Sequence, residues 1–341
     1  HLYQPEAGKH HTFFEASSIG QLDLPRARQG DLAGGLFAIF TPPPPDSPEL
    51  DPYYGLSFTD TGYSLAPRSP IEQPYAQTYT DAVLDFACHL ESESDGAVKI
   101  VRTFAGLEAC FLQQMFAMVL HLEGAEAIKP DLSNLDHYYQ RGVRSLGLVW
   151  SRPNAFGHGV PFAFPQSPDT GQGLTDAGSA LVRACNDAGI MIDLAHLNEN
   201  GFFDVAKIST APLVVTHADV YAICPSTRNL TDREIDAVGA SGGVIGINFE
   251  AMNTHPESRI DTHVPLTQIT RHIEYVANRI GIDHVAFGSD FDGASTPDEL
   301  KDVTGLPRLI STLQECGYNQ DEIEKIAYRN WFRVLQATWK G

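Results

Sequence analysis

A chain of 341 residues, 43% apolar and 19% charged, has the make-up of an ordinary globular protein and can bury one large α/β core. With 23 Lys and Arg against 43 Asp and Glu it carries a formal charge of −20, which argues against nucleic acid or anionic membrane as a partner held by general electrostatics. No run approaches the roughly 18 apolar residues of a membrane span. Five dispersed cysteines without a CxxC pair read as buried thiols of a reducing compartment, so the expected location is cytoplasmic.

The first strand-length apolar run is GLFAIF, residues 35–40. Then come TPPPPDSPELDP and LAPRSPIEQP, whose proline density excludes regular helix and central strand. Residues 41–74 are therefore expected to form a surface excursion that shapes a rim. Further runs follow at 116–122 (FAMVLHL), 145–150 (SLGLVW), 189–194 (GIMIDL), 213–216 (LVVT), 243–249 (GVIGINF) and 284–287 (HVAF). Helical patterns lie between them. SALVRACNDAG (179–189) ends in a glycine suited to a helix C-cap. Thr231 and Glu234 have capping-box spacing, and LTQITRHIEYVANRIG (266–281) is amphipathic at helical period.

Continuous apolar strands alternating with helices predict a parallel sheet covered on both faces. Seven such runs fall one short of a closed (β/α)8 TIM barrel spanning 1–341 as a single domain. The missing strand is expected before His1. A doubly wound sheet is the rival, but its glycine-rich loop has no counterpart: GQGLTDAG (171–178) follows no strand.

In such barrels the C-terminal strand ends carry the chemistry. Here they read HLEG with Glu123, DLAH with His196, VVTH with His217, and GSDFDG with Asp290 and Asp292. A lone histidine at a strand end is usually an ordinary hydrogen-bonded residue. Two on successive strands, with Glu and Asp at other strand ends, form the donor set of zinc or a similar divalent ion. Asp292 is expected to cap the turn at Gly293. Strand alternation points Asp193 away from His196, in a supporting role, and puts His121 on the face of Glu123. No GxSxG elbow or HExxH helix is present, and no cysteine sits in a nucleophile setting. The sequon Asn229-Leu230-Thr231 overlaps the capping box and reads as chance.

LHLEGAEAI, GLTDAGSALVRACNDAGIMIDLAHLNENGF, APLVVTHADVYAICPSTRNLTD and HVAFGSDFDGA together resemble the renal (membrane) dipeptidase family of zinc peptidases, from about Gly20 to Leu335. The resemblance implies a barrel metallohydrolase with two divalent ions, zinc first, holding a hydroxide between them. It implies dipeptide substrates, including ones with a D-residue at the C-terminal side, and a homodimer. Glu123 would bridge the ions, while His196 and His217 complete one site. Arg228, in STRNLTD, would grip the substrate carboxylate, and Asp290 would serve as acid and base.

Two departures from the family pattern stand out. No HxD, the other ligand pair of the family, occurs before Gly35. It is expected on a short segment upstream of His1, with His10 and His11 as rivals. The fourth strand ends LVWSRPNAFGHGVPF, with Trp150 where the family has a carbonyl-polarising histidine. His158 is the expected stand-in, and Trp150 is expected to reshape the substrate pocket. The alternatives are a barrel hydrolase of a lactone, β-lactam or N-acyl amino acid, or a non-catalytic member of the family.

Overall fold

The computed structural model describes residues 12–259 and 261–340, so His10 and His11 lie outside the described residues. Eight strands form one sheet: β1 (Gly34–Ile39), β2 (Val98–Ile100), β3 (Phe116–Leu122), β4 (Val143–Gly147), β5 (Met191–Asp193), β6 (Val214–Ala218), β7 (Val244–Asn248) and β8 (Val285–Gly288). The order is β1-β3-β4-β5-β6-β7-β8, with β2 beside the start of β3, and every pairing is parallel. All seven apolar runs are strands, with ends shifted by a few residues. The unforeseen β2 is only three residues long and has an exposed Lys99 at its centre.

Every residue of β3 through β7 is buried, as a sheet covered on both faces requires. The two faces are distinct. Phe116, Met118, Leu120 and Leu122 join the large core beneath the helices. Ala117 and Val119 turn the other way and meet Met191, Val214, Val244 and Ala286, one from each of four further strands. The helix Asn330–Thr338 and Trp339 close this inner cluster from below. Trp339 is fixed there by its indole N–H, which donates to the Arg144 carbonyl at 3.1 Å. Further along the inner face of β3 come His121 and Glu123, so the apolar plug ends where the ionisable groups begin.

The helices follow their sequence signals. Asp176–Ala188 stops at Gly189, whose φ of 72° is left-handed and suits glycine. Asp232–Ala240 opens with the capping box of Thr231 and Glu234. Thr267–Ile280 buries Ile269, Ile273 and Val276 on one stripe. No helix among the described residues is long and apolar enough to cross a membrane.

The sheet curls into a half-barrel. Among the described residues β1 pairs only with β3 and β8 only with β7, and the two free edges both line one cavity of about 1850 Å³. Residues 41–74 are more ordered than an irregular rim. They contribute Ser57–Phe58 and Tyr63–Ser64 to a small antiparallel sheet completed by Ala163–Phe164. The Tyr63 hydroxyl, buried, lies 3.1 Å from Ser258 Oγ and ties this sheet to the segment after β7.

One irregularity shapes the centre of the molecule. Val215 is level with Ile245, but Ala218 is level with Ile247, so β6 carries one extra residue there. This bulge lets the consecutive residues Thr216 and His217 both reach the inner face. It needs room: a Cβ on Gly246 would lie 2.0 Å from the Thr216 carbonyl oxygen, and one on Gly288 would lie 2.2 Å from it. Gly246→Ala should therefore cost about 1–3 kcal/mol through overpacking, read by urea unfolding. Unchanged stability would show that the bulge does not press on Gly246.

Candidate metal centre

The chain leaves the sheet just after Asp193. Asp193 Oδ1 accepts the Ala195 N–H at 3.0 Å, turning the backbone, and His196 takes a left-handed φ of 66°. A non-glycine residue held there stores strain that the surroundings must support. The Val160 N–H, which donates to the His196 carbonyl at 2.8 Å, is one support. Strand alternation therefore ends at residue 193, and the expected opposition of Asp193 and His196 is replaced by a turn that brings both toward the centre.

Three donor atoms converge above the apolar plug. His196 Nε2 lies 3.0 Å from His217 Nε2 and 3.1 Å from Glu123 Oε1, and His217 Nε2 lies 3.5 Å from the same oxygen. Each imidazole is anchored through its other nitrogen. His196 Nδ1 meets Ser151 Oγ at 2.7 Å, and His217 Nδ1 meets Thr216 Oγ1 at 2.8 Å. Burial holds both histidines well below the usual range, with Arg228 adding to the effect on His196 and His196 adding to it on His217. Both rings are thus neutral and offer lone pairs. Burial pushes the Glu123 carboxyl up, a cost that a bound cation would offset. Two anchored neutral imidazoles and one carboxylate fit a zinc-like divalent ion.

The remaining residues form the walls. Asp290, at a left-handed φ of 54°, accepts the Asn248 Nδ2–H at Oδ2 over 3.0 Å; burial and then Glu123 push its carboxyl up to about 7. The Gly293 N–H bonds to the Asp290 carbonyl, whereas Asp292 binds Gln21 through both its carboxylate and its N–H. The expected cap at Gly293 therefore belongs to Asp290. Arg228 is buried, with Nη2 3.3 Å from His196 Nε2 and 3.3 Å from the His217 carbonyl oxygen. Asn229 is buried too, and its amide donates to the carbonyls of Cys224 and Asn253, which leaves the sequon closed to a glycan.

Trp150 lines the cavity, its ring 4.9 Å from Phe40, 5.5 Å from Phe162 and 5.7 Å from His196. His158 does not line it. His158 pairs with Pro153 in a short bridge, and its carbonyl accepts the Asn198 N–H at 3.2 Å. His121 is an interior histidine, with Nδ1 2.8 Å from Ser145 Oγ. The sequence reading missed Asn248, the last residue of GVIGIN, and Glu250, two residues further on, at the mouth end of β7. Glu250 lines the cavity, and burial, followed by Asp290, pushes its carboxyl up to about 7. Reading every strand end, rather than only those holding histidine or paired acids, would have found it.

A parallel α/β sheet that gathers two imidazoles and a carboxylate beyond its C-terminal strand ends defines a metal-dependent hydrolase of the α/β class. Residues 6–340 match the model of the membrane dipeptidases, peptidase family M19, and the chain belongs to that family. It is 47% identical over 251 residues to an uncharacterised protein in the pqqA 5′ region of Klebsiella pneumoniae, covering 74% of this chain and 93% of that one. Dipeptidase tcpJ of Claviceps purpurea is 27% identical over 93% of this chain and 69% of its own. A crystal structure of a metallo peptidase from Rhodobacter sphaeroides, liganded with a phosphinate mimic of the dipeptide L-Ala-D-Ala, matches with a TM-score of 0.91 at 42% identity, covering 96% of this chain and 92% of that one.

Proposed function

We propose that this protein hydrolyses dipeptides, including those with a D-residue on the C-terminal side, with two divalent ions, zinc first, held in part by Glu123, His196 and His217. The convergence of those three donors within 4.8 Å of one another carries the reading. The same reading takes the curled parallel sheet as part of a (β/α)8 barrel, with the second ion needing ligands beyond these three. A homodimer is the assembly proposed with it.

Bound metal supplies Lewis acidity toward a carbonyl and a strong nucleophile at neutral pH. The rest falls to the protein's own side chains. Arg228 pairs with the C-terminal carboxylate, using the planar guanidinium fork that suits such groups. Asp290, its Oδ2 held by Asn248, takes a proton and passes it to the leaving amine. Phe40, Trp150 and Phe162 give the substrate an apolar wall and exclude water beside His196.

Arg228→Ala tests the substrate class. Hydrogen bonds to charged groups contribute about 1.5–3 kcal/mol. The KM for free-carboxylate dipeptides should thus rise roughly 10- to 150-fold, while C-terminal amides, already poor substrates, change little. An equal loss on both would refute the carboxylate role. A panel of dipeptides, lactones, β-lactams and N-acyl amino acids, assayed with metal and with chelator, separates the hydrolase readings. A well-folded full-length sample that binds no metal would overturn the enzyme reading altogether.

A further inference from the structure

We infer that Asp193 and Thr216 are positioning residues that lock His217 into the tautomer able to bind metal, an inference resting on the metal-centre reading above. The argument is an account of protons. Asp193 Oδ1 accepts two backbone N–H groups, from Ala195 at 3.0 Å and from Thr216 at 2.8 Å. Its other oxygen, Oδ2, accepts the Thr216 hydroxyl at 2.6 Å.

A hydroxyl has one proton. Once Thr216 gives it to Asp193, the Thr216 oxygen can only accept from His217 Nδ1, which lies 2.8 Å away. The proton of His217 therefore sits on Nδ1, and the Nε2 lone pair faces Glu123 and His196. A carboxylate behind a metal-binding histidine commonly does this directly. Here a threonine stands between, because the bulge in β6 brings residues 216 and 217 to the same side of the strand. His196 differs: Ser151 is the group at its Nδ1, and no carboxylate bonds to Ser151 among the described residues. The device is thus specific to one of the two imidazoles. His121, from β3, faces the same Asp193 oxygen at 3.5 Å and adds a polar neighbour to the buried carboxyl group.

The test uses the full protein, zinc ion and a competing chelator. Thr216→Val keeps the side-chain shape and removes the hydroxyl; zinc affinity should fall about 10- to 100-fold. Thr216→Ser restores the hydroxyl and should bind within a few-fold of wild type. Asp193→Asn should resemble Thr216→Val, with circular dichroism and urea unfolding confirming that each variant folds. Nitrogen-15 NMR of the metal-free wild type should show His217 protonated at Nδ1, and Thr216→Val should show a mixture. Equal zinc affinity in wild type and Thr216→Val, or equal weakening in the Val and Ser variants, would overturn the relay. A wild type that binds no zinc would instead refute the metal-centre reading, and the NMR result would still judge the tautomer.

Discussion

Replacing Glu123 with Ala is expected to remove metal binding and peptide hydrolysis together. Its Oε1 is the only carboxylate oxygen in the converging triad, and it faces both imidazole Nε2 atoms. Losing a residue behind a ligand typically costs 10- to 100-fold in affinity, so losing the ligand itself should cost at least about 10²-fold. Turnover of a dipeptide should fall in step. The metal-free variant should be no less stable than metal-free wild type, because burial already disfavours the charged form of Glu123. Chelator competition, turnover and urea unfolding, measured on one preparation, check all three parts. Tight zinc binding by Glu123→Ala would mean that the centre lies elsewhere.

The largest effect on stability is expected from Arg152→Leu. The Arg152 and Glu126 side chains are both 1% exposed, and Nε donates to Oε1 at 2.8 Å. Arg152 Nη2 also donates to the Thr41 carbonyl at 2.7 Å, at the root of the proline-rich excursion. Breaking a buried pair from one side leaves an uncompensated charge and costs about 3–5 kcal/mol. The double variant Arg152→Leu, Glu126→Leu should recover much of that loss, since an apolar pair avoids the desolvation of both ions. Equilibrium unfolding of the two variants decides it: a loss below about 1 kcal/mol in the single variant would show that the pair is not holding this region. The guanidinium also lies 5.0 Å from the Phe40 ring and 5.2 Å from the Trp150 ring, so the KM of the single variant should rise as the aromatic wall loosens.

How far the sequence could be read depended on which physical rule governed each residue. The long strands were legible because a strand buried on both faces must be apolar throughout. The convergence of Glu123, His196 and His217 was legible because side chains at the C-terminal ends of such strands meet at one mouth. The short β2 escaped because three residues with an exposed lysine leave no period to detect. Asp193 was misplaced because alternation was carried one turn too far; the chain had already left the sheet. Thr216 could not have been assigned from spacing, since its reach toward His217 depends on a bulge set by the neighbouring strand. Ser151 and Arg152 belong to a loop that returns to the mouth from β4, and nothing local in their sequence fixes that path.

Gly246 and Gly288, on β7 and β8, give the site an inheritance that its own chemistry does not record. Neither has a side chain to bind metal or move a proton. Yet each leaves the space into which the Thr216 carbonyl is folded, and the direction of His217 depends on that fold. A related chain could keep Glu123, both histidines, Arg228 and Asp290 and still lose its centre to one methyl group at position 246. A survey scoring relatives by their ligands would count that chain as an active enzyme. Adding these two silent positions to the criteria would separate working members of the family from those that only look complete.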